Sequence, residues 1–125
     1  MAMVVIAEDD RDIRELVELI LHEEGYATVP ASDGLAALEA CRTARPDEVL
    51  LDVSMPGELN GLEVCRRIRA DEDLRPVRVM LLTARARDQD VSAGYAAGAD
   101  DYLVKPFNPA ELTRRIEDLL QRPPR

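Results

Sequence analysis

Residues 3–21 read Met3-Val4-Val5-Ile6-Ala7, then Glu8-Asp9-Asp10, then Arg11-Asp12-Ile13-Arg14-Glu15-Leu16-Val17-Glu18-Leu19-Ile20-Leu21. The opening run is apolar without a break, the pattern of a strand buried on both faces. The closing run places Ile13, Leu16, Val17, Ile20 and Leu21 on one helical face. Asp10 is the candidate N-cap between them, and Gly25 the candidate stop. A buried strand feeding an amphipathic helix through a short polar turn is the first half of a βαβ unit.

The same unit recurs outward along the chain. Residues 26–29 read as a short second strand, and Ser32 or Asp33 then opens a helix carrying Leu35, Leu38 and Cys41, which ends near Arg45-Pro46. Residues 49–53 form a third strand, apolar except for Asp52. A loop over residues 54–59 leads to Asn60, which with Glu63 makes a capping-box-like pair for a helix carrying Leu62, Cys65 and Ile68. Residues 77–82 are a fourth strand, and a small-residue helix over about 88–97 ends at Gly98. Residues 102–104 are the fifth strand, and Asn108-Pro109-Ala110-Glu111 opens a last helix with Leu112, Ile116, Leu119 and Leu120 on its apolar face. Strand and helix alternate throughout, which predicts a parallel sheet with helices on both faces and right-handed crossovers. Pro123 and Pro124 cannot continue the last helix, so residues 1–121 are expected to be one domain and 122–125 a tail or linker stub.

Composition narrows the function. The chain has 125 residues, 46% hydrophobic, enough for one core. Its net charge of −9 argues against direct contact with nucleic acid or an anionic membrane surface. Aromatics are 3%, with no Trp and one Phe, which disfavours a stacking platform for bases or flavin. The apolar runs are too short to span a bilayer and no signal peptide is evident, so a cytoplasmic location is expected. Cys41 and Cys65 lie in amphipathic patterns and read as buried thiols, and the single histidine, His22, reads as a surface residue. No zinc site or histidine-based triad can be assembled from them. The 16 basic residues are all arginine except Lys105. Surface bias toward arginine explains the excess, and the one lysine then stands where a guanidinium does not fit.

In a sheet of this kind ligands bind beyond the carboxyl ends of the strands. The first strand ends in Glu8-Asp9-Asp10, the third in Asp52, the fourth in Thr83 and the fifth in Lys105. Each alone has a plain account: a helix cap, a strand terminator, a helix-entry residue, a surface lysine. Together they bring carboxylates, a hydroxyl and an ammonium to one cleft. Clustered carboxylates repel, and a hard divalent cation relieves the repulsion; carboxylates, a backbone carbonyl and waters suit Mg²⁺. Asp52, at the end of an apolar strand, is placed to attack phosphorus and form an aspartyl phosphate. Lys105 and the metal would neutralise the transferring oxygens, and Thr83 would donate a hydrogen bond.

These residues, with their neighbours, closely resemble the receiver domain of two-component response regulators. The resemblance is carried by Glu8-Asp9-Asp10, by Leu50-Leu51-Asp52-Val53-Ser54-Met55-Pro56, by Leu81-Leu82-Thr83-Ala84, and by the run from Gly98 through Tyr102 and Lys105-Pro106 to Phe107. It implies a doubly wound, flavodoxin-like (CheY-like) sheet of order 2-1-3-4-5. It implies that Asp52 is the phosphoacceptor, charged by a sensor histidine kinase or a phosphotransfer protein. Asp9, Asp52 and the backbone carbonyl of Ser54 would ligate Mg²⁺ (or Mn²⁺), with Glu8 acting through a metal-bound water. Lys105 would contact the phosphoryl group across a cis bond to Pro106. Thr83 and Tyr102 would form a switch pair that alters the surface of helix 4, strand 5 and helix 5. Ser54 and Arg85 would tune the lifetime of the phosphorylated state. Such a protein is a signalling switch rather than a turnover enzyme, catalysing only its own phosphorylation and limited autodephosphorylation.

Two departures stand out. The loop between Pro56 and Gly61 is one residue longer than usual in the family. The segment around Asp100, Asp101 and Tyr102, with Glu111 and Arg115, resembles regulators that dimerise on phosphorylation, but Val91 stands where a cross-dimer arginine is usual. Other classes fit less well. A phosphatase needs a general acid two residues past the nucleophile, where this chain has Ser54, and room for a substrate cap. A flavodoxin-type carrier needs a phosphate-cradling loop where Glu8-Asp9-Asp10 would repel phosphate. A phosphorylation-independent receiver would not need the full set of Glu8, Asp9, Asp52, Thr83 and Lys105.

Overall fold

A computed structural model describes residues 1–84 and 87–123. The elements alternate as β1 (Met3–Ala7), α1 (Arg11–Glu23), β2 (Ala27–Ala31), α2 (Gly34–Ala44), β3 (Glu48–Asp52), α3 (Gly61–Ala70), β4 (Arg78–Thr83), α4 (Asp88–Ala96), β5 (Asp101–Val104) and α5 (Pro109–Gln121). Every strand pairing is parallel, in the order β2-β1-β3-β4-β5. The expected sheet order is therefore observed.

Alternation along the strands divides the core in two. Val5, Val49, Leu51, Val79 and Leu81 face α2 and α3, meeting Leu38, Cys41, Val64, Cys65 and Ile68. Val4, Ile6, Leu50, Met80, Leu82 and Leu103 face α1 and α5, meeting Val17, Leu21, Leu112, Ile116 and Leu119. Both cysteines are buried free thiols, and burial pushes the Cys41 thiol up to about 12. Polar caps hold the helix starts: Asp10 accepts from the Asp12 and Ile13 amides, Asp33 from Ala36, and Asn108 from Glu111.

Several expectations are corrected in detail. The second strand runs to Ala31 and includes Pro30, which an edge strand tolerates because its missing amide leaves no ladder bond unmade. Leu16 and Leu35, expected on buried faces, are 52% and 55% exposed, because each sits at the outer rim of its helix's apolar stripe. The capping box is half formed: Asn60 accepts from the Glu63 amide at 2.9 Å, while the Glu63 carboxylate turns to Arg66 and Arg67. The third strand begins one residue early, at Glu48, and buries it completely. The peptide bond between Lys105 and Pro106 is cis, as anticipated.

Candidate functional site

The carboxyl ends of β1, β3, β4 and β5 open on one side of the sheet and deliver Glu8, Asp52, Thr83 and Lys105 together. Parallel register places Ala7 beside Leu51, Asp52 beside Leu82 and Thr83 beside Val104, so the residues ending these strands lie side by side. Glu8, Asp52 and Thr83 are buried, whereas Asp9 is exposed at the rim. Among the described residues, Glu8, Asp9 and Asp52 form an acidic group in which one carboxylate oxygen from each lies within 4.8 Å of the others. Asp10, adjacent in sequence, stays outside this group because its carboxylate is used to cap α1.

Lys105 supplies the opposing charge. Its ammonium is ion-paired with Glu8 and lies 3.6 Å from Asp52 Oδ1. The chain is steered there by the Lys105 amide, which donates to the Thr83 carbonyl at 2.7 Å. The Ser54 amide donates to Asp52 Oδ1 at 3.1 Å and fixes the rotation of that carboxylate. Arg14 Nη1 donates to the Glu8 carbonyl at 2.8 Å, tying α1 to the acidic turn. The sequence reading missed Arg14; its only signal was an arginine one turn into a helix that follows a cluster of acids.

The two buried carboxylates have diverged. Burial, then the neighbouring Asp52 carboxylate, pushes Glu8 up to about 7, against the pull of Lys105. Burial also opposes ionisation of Asp52, but hydrogen bonding with Glu8 and Asp9, the Ser54 amide and the Lys105 charge together hold it below the usual aspartate range. Asp52 is thus the more readily ionised carboxylate of the pair. The donor set is hard, anionic and compact, which fits a small divalent cation better than a soft metal.

The longer loop after β3 does not lie free over this cleft. Met55 and Leu59 are buried in the α2–α3 core, and Leu59 packs on the first turn of α2 at Gly34, where any side chain would run into the Leu59 carbonyl. The loop turns at Gly57, whose φ is +91°. Tyr102, 8% exposed, is turned into the core at the edge strand β5. Arg85 lies outside the described residues.

Comparison with known proteins gives a consistent result. The response regulator receiver domain family matches residues 4–117. The transcriptional regulatory protein CseB of Streptomyces avermitilis is 50% identical over 119 residues, covering 95% of this chain and 49% of that protein. The DNA-binding response regulator MtrA of Mycobacterium tuberculosis is 43% identical over 119 residues, covering 95% of this chain and 50% of that protein. The chain thus spans about half the length of the curated relatives it matches. The receiver domain of the sensor histidine kinase PA1611 from Pseudomonas aeruginosa, solved with a magnesium ion in its active site cleft, superposes with a TM-score of 0.89 at 33% identity, covering 97% of this chain and 98% of that one.

Proposed function

Because this chain belongs to the response regulator receiver domain family, whose general function is two-component signalling by aspartate phosphorylation, we propose that Asp52 is its phosphoacceptor. The observation that carries this reading is the convergence of three carboxylates within 4.8 Å with an ammonium 3.6 Å from Asp52 Oδ1. An Asp52 oxygen attacks the phosphorus of a phosphohistidine on a sensor histidine kinase or phosphotransfer protein. The P–N bond breaks as the P–O bond forms, leaving an acyl phosphate on Asp52 and a free imidazole on the donor.

Asp9, Asp52 and the Ser54 carbonyl are the proposed ligands of Mg²⁺ (or Mn²⁺), with Glu8 holding a bound water. The cation would supply positive charge against the transferring oxygens. Lys105 would add a second positive charge, exchanging its contact with Glu8 for one with the phosphoryl group. Thr83 donates its hydroxyl to a phosphoryl oxygen, and Tyr102 moves in concert. Ser54 and Arg85 are the proposed residues that set how readily water reaches the acyl phosphate, which is the limited self-dephosphorylation expected of such a switch.

Residues 1–121 are the proposed receiver unit and 122–125 a C-terminal tail or linker stub. Relatives described as transcriptional or DNA-binding regulators support an output carried by another module, with this acidic domain making no nucleic-acid contact itself. A cytoplasmic location follows from such a partnership, and no described helix is long and apolar enough to cross a membrane. The test is labelling by a small phosphodonor with Mg²⁺. Stoichiometric labelling of the natural chain and none of Asp52→Asn is expected; labelling that survives Asp52→Asn removes the assignment.

A further inference from the structure

Helix α4 has a single buried residue, Gly94. A Cβ built at that position would lie 2.9 Å from Leu81 Cδ1 and 3.0 and 3.1 Å from Cδ2 and Cε2 of the Tyr102 ring. A methyl at position 94 would force Leu81 or the Tyr102 ring to give way by a few tenths of an ångström, so the inward ring lies directly against a position that carries no side chain. Leu81 and Tyr102 are paired across β4 and β5, and Thr83 lies two residues on from Leu81, on the same face of the strand. The seat is therefore built directly behind the strand end that carries Thr83.

Three things could yield to an added methyl: the helix, Leu81 or the ring. The helix is held at its base. Arg69 Nε donates to the Gly98 carbonyl at 2.8 Å and Arg69 Nη2 to Asp100 Oδ2 at 2.7 Å. Asp100 Oδ2 also accepts from the Val79 amide at 2.8 Å, and the Ala99 amide donates to the Gly94 carbonyl at 3.2 Å. Leu81 is fully buried on a central strand. Tyr102 sits on edge strand β5 and can rotate toward solvent about its χ1 bond. The ring, at the edge of the sheet, has an outward position to move to, whereas the buried Leu81 does not.

We propose that Gly94 is a positioning residue that admits the Tyr102 ring beneath α4, and so sets how strongly occupancy of the Asp52 site is coupled to the α4–β5 surface. The proposal rests on Asp52 as phosphoacceptor and Tyr102 as a moving residue. Coupling is reciprocal: whatever blocks the inward ring weakens binding of a phosphoryl group by the same factor that the phosphoryl group favours the inward ring.

The test uses Gly94→Ala, Tyr102→Ala and the double variant, each checked for a cooperative melt. The first readout is the Leu81 methyl resonances without any ligand. In the natural chain the ring shifts a Leu81 methyl upfield, and Gly94→Ala moves it toward its position in Tyr102→Ala. The second readout is affinity for beryllofluoride, a phosphoryl mimic, in saturating Mg²⁺, beside affinity for Mg²⁺ alone. Gly94→Ala is expected to weaken beryllofluoride about tenfold and to leave Mg²⁺ affinity within twofold. In the Tyr102→Ala background the Gly94→Ala change should have no further effect. An unmoved Leu81 methyl in Gly94→Ala overturns the proposal. A tenfold loss that persists without the Tyr102 ring overturns it too, because the effect then runs through Leu81 packing. A natural chain that binds Mg²⁺ but no beryllofluoride removes the phosphoacceptor reading instead, and the methyl shift still decides whether Gly94 seats the ring.

Discussion

Lys105 contacts two carboxylates of unlike character, a Glu8 carboxyl pushed up to about 7 and an ionised Asp52. A compact ammonium on a flexible stem can pass between them and a phosphoryl group, whereas a planar guanidinium would fork across both. Lys105→Arg keeps the positive charge beside Asp52 and should therefore leave Mg²⁺ binding by calorimetry largely unchanged, yet lose the response of Tyr102 to beryllofluoride. At the other end of the same strand, Glu48 is fully buried and neither of its carboxylate oxygens has a hydrogen-bond partner. Burial holds it well above the ordinary value of 4.5, against the pull of Arg78 and with Asp101, Asp100 and Asp47 adding to the rise. An acid with a raised folded-state pKa weakens the fold as pH rises, because the unfolded chain ionises first. Glu48→Gln should thus stabilise at neutral pH. The gain should shrink by about 1.4 kcal/mol per pH unit on acidification toward 4.5, once below the folded-state value, and vanish below 4.5. Urea melts of the two proteins across pH 4–8 measure it, and a gain independent of pH would count against an ionisation cost.

Between elements, one side chain does the joining at the base of α3 and α4. Arg69 donates to the carbonyls of Gly98, Arg75 and Val77 and to the Asp100 carboxylate, all at 2.6–2.8 Å. Both charged groups of the pair are mostly buried, so the desolvation cost is repaid only while the pair is intact. Arg69→Ala would leave Asp100 charged beside the Val79 amide and three carbonyls short of a donor. A loss of about 3 kcal/mol is expected in chemical denaturation, and Asp100→Asn in the same background should restore part of it. A loss under about 1 kcal/mol would place the clasp among ordinary surface pairs. By contrast Arg11–Glu15 and Arg45–Asp73 are exposed and contribute little.

Across the whole molecule, the net charge of −9 is concentrated in part at the cleft, where a divalent cation and Lys105 would offset it. What remains favours staying apart from polyanions and from other copies of the chain. A phosphorylation-dependent homodimer through α4, β5 and α5 would have to form without an arginine at Val91. It would also form with Arg115 already bound to Asp101 of its own chain at 2.9 Å. Tyr95 and Val104, exposed on that side, are the apolar residues left to drive it. Sedimentation with Mg²⁺ and beryllofluoride should show a dimer weakened by Tyr95→Ser; an unchanged monomer at about 100 µM, a concentration that would populate a complex of only −5 to −6 kcal/mol, removes the dimer.

The alternation of apolar runs and amphipathic stretches was sufficient by itself to determine the element order and the parallel sheet, because buried strands and half-buried helices leave different periods in a chain. It also pointed to Glu8, Asp52, Thr83 and Lys105, since each follows directly on a buried strand and parallel strands end on one side. The capping of α1 by Asp10 and the αL stop at Gly25 were legible in local sequence, whereas the cis bond at Pro106 was anticipated only through the family resemblance. What no local pattern carries is which group ends up against which. Only tertiary packing decided that Glu48 is buried without a partner, that Leu16 and Leu35 are not, that Arg69 closes on Asp100, and that Gly94 is the floor of the Tyr102 seat. The two buried carboxylates, both acids in the sequence, were separated into a Glu8 pushed up to about 7 and an ionised Asp52 by burial and by the hydrogen bonds that Glu8, Asp9 and the Ser54 amide make with Asp52, all of which exist only after folding.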